Sequence, residues 1–529
     1  MDLEEVLRRR LFHQLDGIVA VPTLSAFSRN GLLSDLLKNG HIHIRLDPIG
    51  PFRNPGYLNV AARFLECLGW VERKFSDDGL EISVFLTDSG RQVSTLRQDF
   101  EFFAEMLNLV SRLKLLFENR LEVGCIQKMT ALSQRFHMLT ASLATLDSEL
   151  SERLRCYLEG VLCTPILLLL RRENRISLED GVLRIGDLSD ENRQIILKIL
   201  KQGRWMEGEE ECLNEAGQFF SRKAHAYAII LSYFPMLSQL EEVLFGESNR
   251  IFQLLPEDRE GHIDRELNVW GTGLSHGLYF RSMKSAVTEI FQAPEDQRPL
   301  GIADMGCGDG SLLESLWNAL KEGNLIGADP QRNPILVGAD LNPAARDSTR
   351  MRMKRAGIEA MVVPGDISHP AEFAKRLRGR GLNLVNLLSV RSFLDHDRAL
   401  NDSFLQRSST DQTTSGAYSR GGKYIAPAAV YQDLVEHMRS WTPFVANHGL
   451  LVLELHCLNP ELSNQSLGRV ASPAYEAIHG YSDQYILEHE TYLRAIQQAG
   501  LIPIAAHSRI FPSNALPVIS LHHFKEQPA

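Results

Sequence analysis

The sequence predicts an α/β protein whose C-terminal half forms a doubly wound sheet and whose N-terminal half is mostly helical. Three observations support this prediction. A glycine-rich turn follows an apolar strand at 300–313, later apolar runs also end in carboxylates, and two stretches of the N-terminal half share one pattern. The 529 residues are enough for about two to four domains. We expect three, at 1–150, 151–260 and 261–529.

The composition excludes several classes of protein. Hydrophobic residues make up 44% and charged residues 23%, which are ordinary globular values. A net charge of −10 argues against nucleic acid as a partner. The longest apolar run, 161–170, is too short to span a bilayer, and the acidic N-terminus is unlike a secretory signal. Seven cysteines without a CxxC motif indicate reduced thiols, so we expect a cytoplasmic protein that binds no membrane.

The N-terminal half contains an internal repeat. Residues 15–22 and 158–165 each place a glycine five positions before a proline inside an apolar frame. Each stretch is followed by an amphipathic helix, at 61–71 or 195–205, and then by a short predicted hairpin. Helices followed by a two-stranded wing are typical of winged-helix units. We therefore place two such units at about 11–95 and 155–225, joined by helices.

A winged helix can bind DNA through its recognition helix, but the two candidate helices carry mixed charge. The first has Arg63 with Glu66, and the second has Glu191, Arg193 and Lys198. This pattern lacks the basic stripe that duplex DNA requires. We expect a structural role instead, such as packing or the formation of a homodimer through the N-terminal half.

The strongest local signal is the glycine corner, 304–310. An apolar strand ends in Asp304, glycines follow at Gly306, Gly308 and Gly310, and a helical pattern then begins. Glycine allows the backbone to turn sharply and to lie close to a ligand. The following helix directs its free N–H groups towards that ligand. The corner therefore predicts a nucleotide-binding site in the doubly wound sheet.

Two later acids could complete a nucleoside site. The second strand, 335–340, ends in Asp340, where a carboxylate can accept both ribose hydroxyls. Asp329 is the alternative and lies nearer the usual spacing of about 20 residues. We favour Asp340 because a better strand precedes it and a helix start with Pro343 follows it. The third strand, 361–363, is followed by Asp366, which can accept the exocyclic amine of adenine.

Further strands are predicted at 382–389, 449–456, 501–511 and 517–524, with a helix at 490–498. The phrases 304–310, 339–343 and 365–367, in this order and strand context, resemble class I S-adenosylmethionine-dependent methyltransferases. The resemblance covers about 260–529. It implies that Gly306, Gly308 and Gly310 wrap the methionine part of S-adenosylmethionine after Asp304, that Asp340 holds the ribose and that Asp366 holds the adenine.

Four shorter phrases carry a narrower resemblance. Residues 268–273, 390–398, 453–456 and 482–485 are similar to the metal-dependent C-methyltransferases of polyketide synthase loading modules of the apratoxin type. This family implies methylation of the α-carbon of a malonyl-type thioester on an acyl carrier protein. The sequence carries no carrier-protein domain, so we expect action in trans on an acyl carrier protein or on a small-molecule acceptor.

Methyl transfer from a sulfonium requires an activated nucleophile. A carbon acid needs a base and stabilisation of the enolate, whereas an alcohol needs only a base, and a general base contributes roughly 10²–10⁴-fold. His396 follows the fourth strand and His456 ends the fifth, so both are candidate catalytic residues at the carboxyl edge of the sheet. Histidine with mixed oxygen ligands is compatible with Fe or Mn. With Gln484, which the family resemblance adds, His396 and His456 form the expected metal site.

Two other functions stay open. One is a small-molecule O-methyltransferase. The other, from a different class, is a winged-helix regulator that carries a ligand-sensing methyltransferase-like domain. The intact glycine corner and the two nucleoside acids favour an enzyme, and the mixed charge of the candidate recognition helices disfavours the regulator.

Overall fold

The structure is a computed structural model that describes residues 2–143, 146–208, 211–256, 259–275, 277–405, 413–470 and 472–527. Contacts within the chain divide it into two compact units. Unit 1 comprises Met1–Ser275, Ala417–Tyr424 and Asn459–Asp483, and unit 2 comprises His276–Gly416, Ile425–Leu458 and Gln484–Ala529. The predicted C-terminal domain, 261–529, thus contains three segments that belong to unit 1, at 261–275, 417–424 and 459–483. The predicted division between 1–150 and 151–260 stays a prediction.

Both units contain helices. In chain order they are α1 (Leu3–Arg29), α2 (Leu32–Asn39), α3 (Pro55–Cys67), α4 (Asp88–Ser94), α5 (Arg97–Ala104), α6 (Lys114–Phe117), α7 (Val123–Leu143), α8 (Ser148–Leu162), α9 (Thr164–Arg172), α10 (Asp190–Gln202), α11 (Glu215–Arg222), α12 (Ala224–Leu231), α13 (Phe234–Leu237), α14 (Leu240–Phe245), α15 (Arg265–Ser275), α16 (Gly277–Phe291), α17 (Ser311–Glu322), α18 (Pro343–Ala356), α19 (Pro370–Arg378), α20 (Asp402–Leu405), α21 (Pro427–Val445), α22 (Pro460–Gln465), α23 (Ser472–Tyr481) and α24 (His489–Gln498). Among the described residues, no helix is both long and apolar enough to cross a membrane.

The strands are, in chain order, β1 (His41–Arg45), β2 (Val71–Phe75), β3 (Glu81–Leu86), β4 (Leu254–Leu255), β5 (Arg259–Glu260), β6 (Gly301–Met305), β7 (Ile335–Asp340), β8 (Met361–Pro364), β9 (Leu387–Ser392), β10 (Tyr418–Arg420), β11 (Lys423–Ile425), β12 (Leu450–Leu455), β13 (Leu501–Pro503), β14 (Arg509–Ser513) and β15 (Leu516–Glu526).

The first predicted winged-helix unit is formed by α1, α2, β1, α3, β2 and β3, in this order. Its three strands make an antiparallel sheet with β3 in the middle. The second unit has the corresponding helices α8, α9 and α10, but short bridges such as Ile176–Leu183 and Met206–Leu213 take the place of its wing strands. The helical N-terminal region with winged-helix architecture is therefore confirmed.

The two units share a local structure that the sequence repeat predicts. After the wing, Thr87 accepts a hydrogen bond from the backbone N–H of Gly90 at 3.0 Å, and Asn214 accepts one from Gly217 at 3.0 Å. A Cβ at either glycine would meet a tryptophan carbonyl oxygen, that of Trp70 at 2.0 Å or that of Trp205 at 2.4 Å. Glycine is required at both positions because each helix start lies directly on the preceding strand or bridge.

Of the two helices that correspond to recognition helices, α3 is covered within unit 1, whereas α10 packs on one face and exposes the other. Nearly all of α3 is buried, and its Arg63 forms an ion pair with Glu476 of α23. The second such helix, α10, packs beside α7. On α10, Arg193 forms an ion pair with Glu211. Some of the charged side chains of these helices therefore pair with carboxylates of the same protein.

Unit 2 is built around an eight-stranded sheet. Seven strands lie in the order β13-β15-β12-β9-β6-β7-β8, and the eighth, β14, pairs with β15. The strands from β12 to β8 are parallel, whereas β15 runs antiparallel to β12. Most of the buried residues of these strands are apolar, as is expected for a sheet covered on both faces. The predicted doubly wound α/β fold is confirmed.

Two strand predictions need correction. The fourth strand begins at Leu387 rather than at 382, because 384–386 form a 3₁₀ turn. The C-terminal region has three strands rather than two, since β13 ends at Pro503 and β14 begins at Arg509. A short 3₁₀ turn, Ala505–His507, separates them.

Candidate cofactor and catalytic site

The glycine corner joins β6 to α17 at the carboxyl edge of the sheet of unit 2. Gly306, Gly308 and Gly310 all have positive φ, at 74°, 53° and 81°, a conformation that side chains with a Cβ rarely adopt. The N–H groups of Gly306 and Cys307 donate to the carbonyl oxygen of Ala339 at 2.8 and 3.0 Å. A Cβ at Gly308 would meet no described atom within 4 Å. The turn is therefore fixed to β7 and is open above Gly308, where a ligand can lie against the backbone.

Asp340 lies beside this corner. It ends β7, and its carboxylate accepts hydrogen bonds from the backbone N–H of Gly308 at 3.0 Å and of Asn342 at 2.8 Å. Asn342 in turn caps α18 by accepting from Ala344 at 2.8 Å. The carboxylate is thus held at the strand end predicted for the ribose-binding acid.

Asp329, the alternative ribose ligand, occupies a different setting. Its side chain is 58% exposed and accepts a hydrogen bond from the N–H of Gln331, at the start of a 3₁₀ turn. No strand of the described sheet ends there. The position of Asp340 therefore fits a nucleoside ligand better than that of Asp329.

Asp304, next to the end of β6, is the most unusual group of the corner. Its side chain is buried, with the residue 1% exposed, and neither carboxylate oxygen has a hydrogen-bond partner among the described residues. Burial and the nearby charge of Asp340 raise the pKa of Asp304 well above its usual range. An unpaired buried carboxyl group is costly, so this site fits a ligand that supplies a hydrogen-bond donor or positive charge.

Asp366 follows β8, the strand next to β7. One oxygen accepts from the N–H of Ser368 at 2.8 Å, and the other lies 3.0 Å from Nδ1 of His369. The N–H of Gly365 donates to the carbonyl oxygen of Asp340 at 3.3 Å, which brings the third acid next to the second. Asp304, Asp340 and Asp366 therefore line successive strand ends, a donor and acceptor set that fits S-adenosylmethionine.

The loop after β9 brings His396 towards the same corner. Leu394 packs against Gly306, where an added Cβ would lie 2.9 Å from its Cδ2 atom. Two residues later, Nδ1 of His396 lies 2.6 Å from Oε1 of Glu454, and both side chains are buried. Burial by itself lowers the pKa of His396, but the charge of Glu454 and its hydrogen bond outweigh this effect and raise it above the usual value.

Glu454 is held from several sides. Its second oxygen accepts from the backbone N–H of Asp395 at 2.7 Å. The Asp395 carboxylate pairs with Arg391 at 2.5 Å and accepts from the hydroxyl of Tyr492 at 2.8 Å. These contacts fix the loop after β9, so the imidazole of His396 has little freedom to turn away from Glu454.

His456, the other predicted catalytic residue, lies in a different environment. It is 2% exposed, its Nε2 is 2.8 Å from the hydroxyl of Ser520, and its Nδ1 is 3.3 Å from the carbonyl oxygen of Leu487. Burial, together with nearby His489 and His522, lowers its pKa well below the usual value. Both nitrogens have protein partners, as in a structural histidine, and the catalytic role of His456 stays a prediction.

The predicted Fe or Mn site is not supported. Among the residues that the structure describes, no group of three His, Cys, Asp or Glu side chains is arranged to hold a metal. The nitrogens of His456 and Nδ1 of His396 are engaged by protein atoms. Gln484, the third expected ligand, has a buried Oε1 without a hydrogen-bond partner among the described residues. Because both nitrogens of His456 contact protein atoms, the expected set of His396, His456 and Gln484 does not fit the metal.

Gln484 nevertheless lies near the pair formed by His396 and Glu454. The N–H of the next residue, Tyr485, donates to the carbonyl oxygen of His396 at 2.7 Å. The unpaired amide oxygen can therefore accept a hydrogen bond from a ligand close to His396.

Sequence reasoning missed Glu454 as a functional residue. The signal was present, because Glu454 interrupts the apolar run of the fifth strand and a buried carboxylate there requires a partner. Asp395 and Tyr492 were missed for another reason. Their contact joins residues 97 positions apart, which no local pattern reveals.

Three family models match successive parts of the chain. They are the AprA N-terminal domain at residues 7–73, the AprA winged helix domain at 159–247 and the AprA MT2-like domain at 260–522. No curated protein matches the chain.

Similar solved structures include the mitomycin 7-O-methyltransferase MmcR, with 12% identity, 70% of this chain and 95% of that chain covered, and a TM-score of 0.42. The CurJ carbon methyltransferase has 13% identity, coverage of 76% and 99%, and a TM-score of 0.35. Human N-acetylserotonin methyltransferase has 11% identity, coverage of 73% and 99%, and a TM-score of 0.39.

The three family models follow one another in the same order as the winged-helix region and the sheet, and the largest of them spans the glycine corner, the three acids and the His396–Glu454 pair. The chain belongs to the AprA-type family of S-adenosylmethionine-dependent methyltransferases.

Proposed function

We propose that the enzyme methylates the α-carbon of a malonyl-type acyl thioester carried by an acyl carrier protein, with His396 as the general base. The observation that carries this proposal is the buried contact between His396 and Glu454 beside the glycine corner. A base in this position can take the α-proton while a methyl donor occupies the corner.

The cofactor supplies a methyl group on a positively charged sulfur. The chain's own residues bind and orient it: the glycine corner lies against the methionine part, Asp340 accepts from the ribose and Asp366 accepts from the adenine. Asp304 is placed to receive a donor from the methionine part, because its buried oxygens have no partner among the described residues. We assign these roles from the strand-end positions of the residues.

The His396–Glu454 pair suits a carbon acid. When His396 accepts the proton, its positive charge stays next to the Glu454 carboxylate, which stabilises the imidazolium. The α-proton of a thioester is far more acidic than that of an unactivated C–H bond, so a positioned base can help to remove it. Gln484 is placed to accept a hydrogen bond from an amide N–H of the acceptor arm.

A small-molecule O-methyltransferase is the second candidate. The same pair of side chains would activate a phenol or alcohol, and such an acceptor needs no further stabilisation of charge. The two candidates differ in the atom that receives the methyl group, so the product distinguishes them directly.

A winged-helix regulator is disfavoured by the burial of α3 and by the mixed charges on α3 and α10. We propose that the N-terminal region has a structural role and binds no nucleic acid. A homodimer through this region stays a prediction, and light scattering of the purified protein tests it.

The decisive experiment is intact-mass measurement of a malonyl-loaded carrier protein incubated with the enzyme and S-adenosylmethionine. We expect a mass gain of one methyl group, and fragmentation of the acyl-phosphopantetheine arm in tandem mass spectrometry should place it on the α-carbon. A methyl group found on the carboxylate oxygen would indicate O-methylation. No transfer to the carrier protein, together with transfer to small phenols, would favour the second candidate.

A further inference from the structure

Unit 1 contains a groove bounded by α7, α8 and α10, with a cavity volume of about 920 Å³. This volume is in the range of pockets that hold small organic ligands. The groove is built entirely from residues of unit 1, and the methyl-transfer residues described above all belong to unit 2. It is therefore a separate candidate site.

The floor of the groove is apolar. Ile126 and Phe136 of α7 and Ile195 of α10 lie beneath it, each less than 7% exposed, and the partly buried Leu197 of α10 presents an apolar side chain at its surface. A hydrocarbon chain or ring placed over these side chains would lose contact with water, which is the main source of affinity for apolar ligands.

The rim of the groove is mainly basic. Arg155, Lys198 and Lys201 line it, against the single carboxylate of Glu191. The two lysines are exposed and lie one turn apart on α10. These lining residues carry three positive charges and one negative charge, in a chain whose net charge is −10. The lining therefore has a net positive charge, although the chain as a whole is negative.

Arg155 is fixed in position across the groove. Its guanidinium lies 5.2 Å from the centre of the Phe136 ring, and it donates to the carbonyl oxygen of Gln202 at 3.0 Å and to Glu159 at 3.1 Å. Arg155 therefore lies at the border between the apolar floor and the basic rim of the groove, with its cation against an aromatic ring.

We propose that this groove binds an amphipathic organic anion, with its apolar body on the floor and its carboxylate at the Lys198–Lys201 rim. Duplex nucleic acid does not fit, because it requires a long basic stripe without an apolar floor. This inference does not depend on the acceptor of the methyl group.

The test uses the full-length protein and a dansyl-labelled undecanoate, whose fluorescence rises when it enters an apolar site. Laurate should displace this probe. Dodecanol, which has the same chain without the charge, should displace it more weakly, and dodecyltrimethylammonium should be the weakest of the three. Equal displacement by the cation and by laurate would overturn the proposal, because the rim would then have no influence.

Two variants locate the site. Lys198→Glu combined with Lys201→Glu should weaken laurate roughly tenfold, since two attractive charges become repulsive, and should leave dodecanol nearly unchanged. Thr130→Trp, which places a large ring in the groove from α7, should weaken both ligands.

Lys114→Glu is the matched control, because Lys114 is an exposed lysine of the same unit that does not line the groove. It should leave laurate binding unchanged. Thermal unfolding of each variant verifies that it is folded. The proposed ligand class would be refuted if both groove variants still bound laurate as the wild type does. It would also be refuted if the protein bound an acidic peptide that laurate does not displace and did not bind laurate.

Discussion

His396 and Glu454 connect the carboxyl ends of two adjacent parallel strands, β9 and β12, through a contact of 2.6 Å between Nδ1 and Oε1. The two residues are 58 positions apart in the sequence. The pair lies where the loop after β9 packs on the glycine corner, so a methyl acceptor next to His396 would also be next to the cofactor. This relationship leads to predictions on the rate of methyl transfer and on its dependence on pH.

Replacing His396 should remove the base. We expect His396→Gln to lower the rate of methyl transfer by roughly 10²–10⁴-fold, the usual contribution of a general base. Binding of S-adenosylmethionine, measured by calorimetry, should change little, because the glycine corner and Asp340 are left intact.

His456→Gln serves as the comparison for His396→Gln. Since both nitrogens of His456 contact protein atoms, this change should lower the thermal unfolding temperature. The folded variant should keep most of its rate per molecule. A much larger loss of rate in His456→Gln than in His396→Gln would reverse the assignment.

The rate should depend on pH through His396. Because Glu454 raises the pKa of His396 above its usual value of about 6.5, the base is protonated at lower pH and the rate should rise as pH increases through that raised pKa. Glu454→Gln removes the charge that raises the pKa, and burial then dominates. The midpoint of the profile should therefore move to lower pH, with a lower maximal rate. An unchanged midpoint would show that another group titrates.

Asp340→Ala should weaken S-adenosylmethionine by roughly 1–3 kcal/mol, the cost of leaving buried donors unpaired. Calorimetry on the folded variant measures this loss. Asp329→Ala is the control and should have no effect, because Asp329 is largely exposed and lies away from the strand ends. A loss confined to Asp329→Ala would move the ribose site there.

The sequence was sufficient for the features that depend on local pattern. The glycines of the corner, the apolar strand before Asp340 and the repeated glycine–proline frame each follow from short-range periodicity and backbone requirements. The limits of β13 and β14 were missed, because a short 3₁₀ turn, Ala505–His507, divides the predicted strand 501–511.

The surroundings of the candidate catalytic residues could not be predicted, for a physical reason. A position at the end of a strand places a histidine at the correct edge of the sheet, but it does not reveal which atoms surround the ring. His396 and His456 are equivalent by this criterion. They differ in their partners, Glu454 for one and Ser520 for the other, and these partners come from distant parts of the chain.

The full-length protein should not bind duplex DNA tightly. Arg63 is buried in an ion pair with Glu476, and Arg193 is paired with Glu211, so these charges are not available to phosphates. A gel-shift assay at physiological ionic strength measures this. A sequence-selective, salt-sensitive shift would restore the regulator hypothesis.

The crossing of α1 and α8 holds the two repeats together. Gly17 and Gly160 are equivalent residues of the repeat, and a Cβ on Gly17 would lie 2.2 Å from Cα of Tyr157, whereas one on Gly160 would lie 2.1 Å from the carbonyl oxygen of Gln14. Because both obstacles are backbone atoms, Gly160→Ala must separate the helices. We expect a loss of about 1–3 kcal/mol in the free energy of unfolding.

Gly124→Ala is the matched control for this crossing, since Gly124 also lies in a helix but a Cβ there would meet no described atom within 4 Å. Alanine is the better helix former, so this variant should be as stable as the wild type or more stable by up to about 1 kcal/mol. Urea unfolding followed by circular dichroism compares the two. If Gly160→Ala were as stable as Gly124→Ala, the close approach of α1 and α8 would be wrong, and the repeats would have to pack differently.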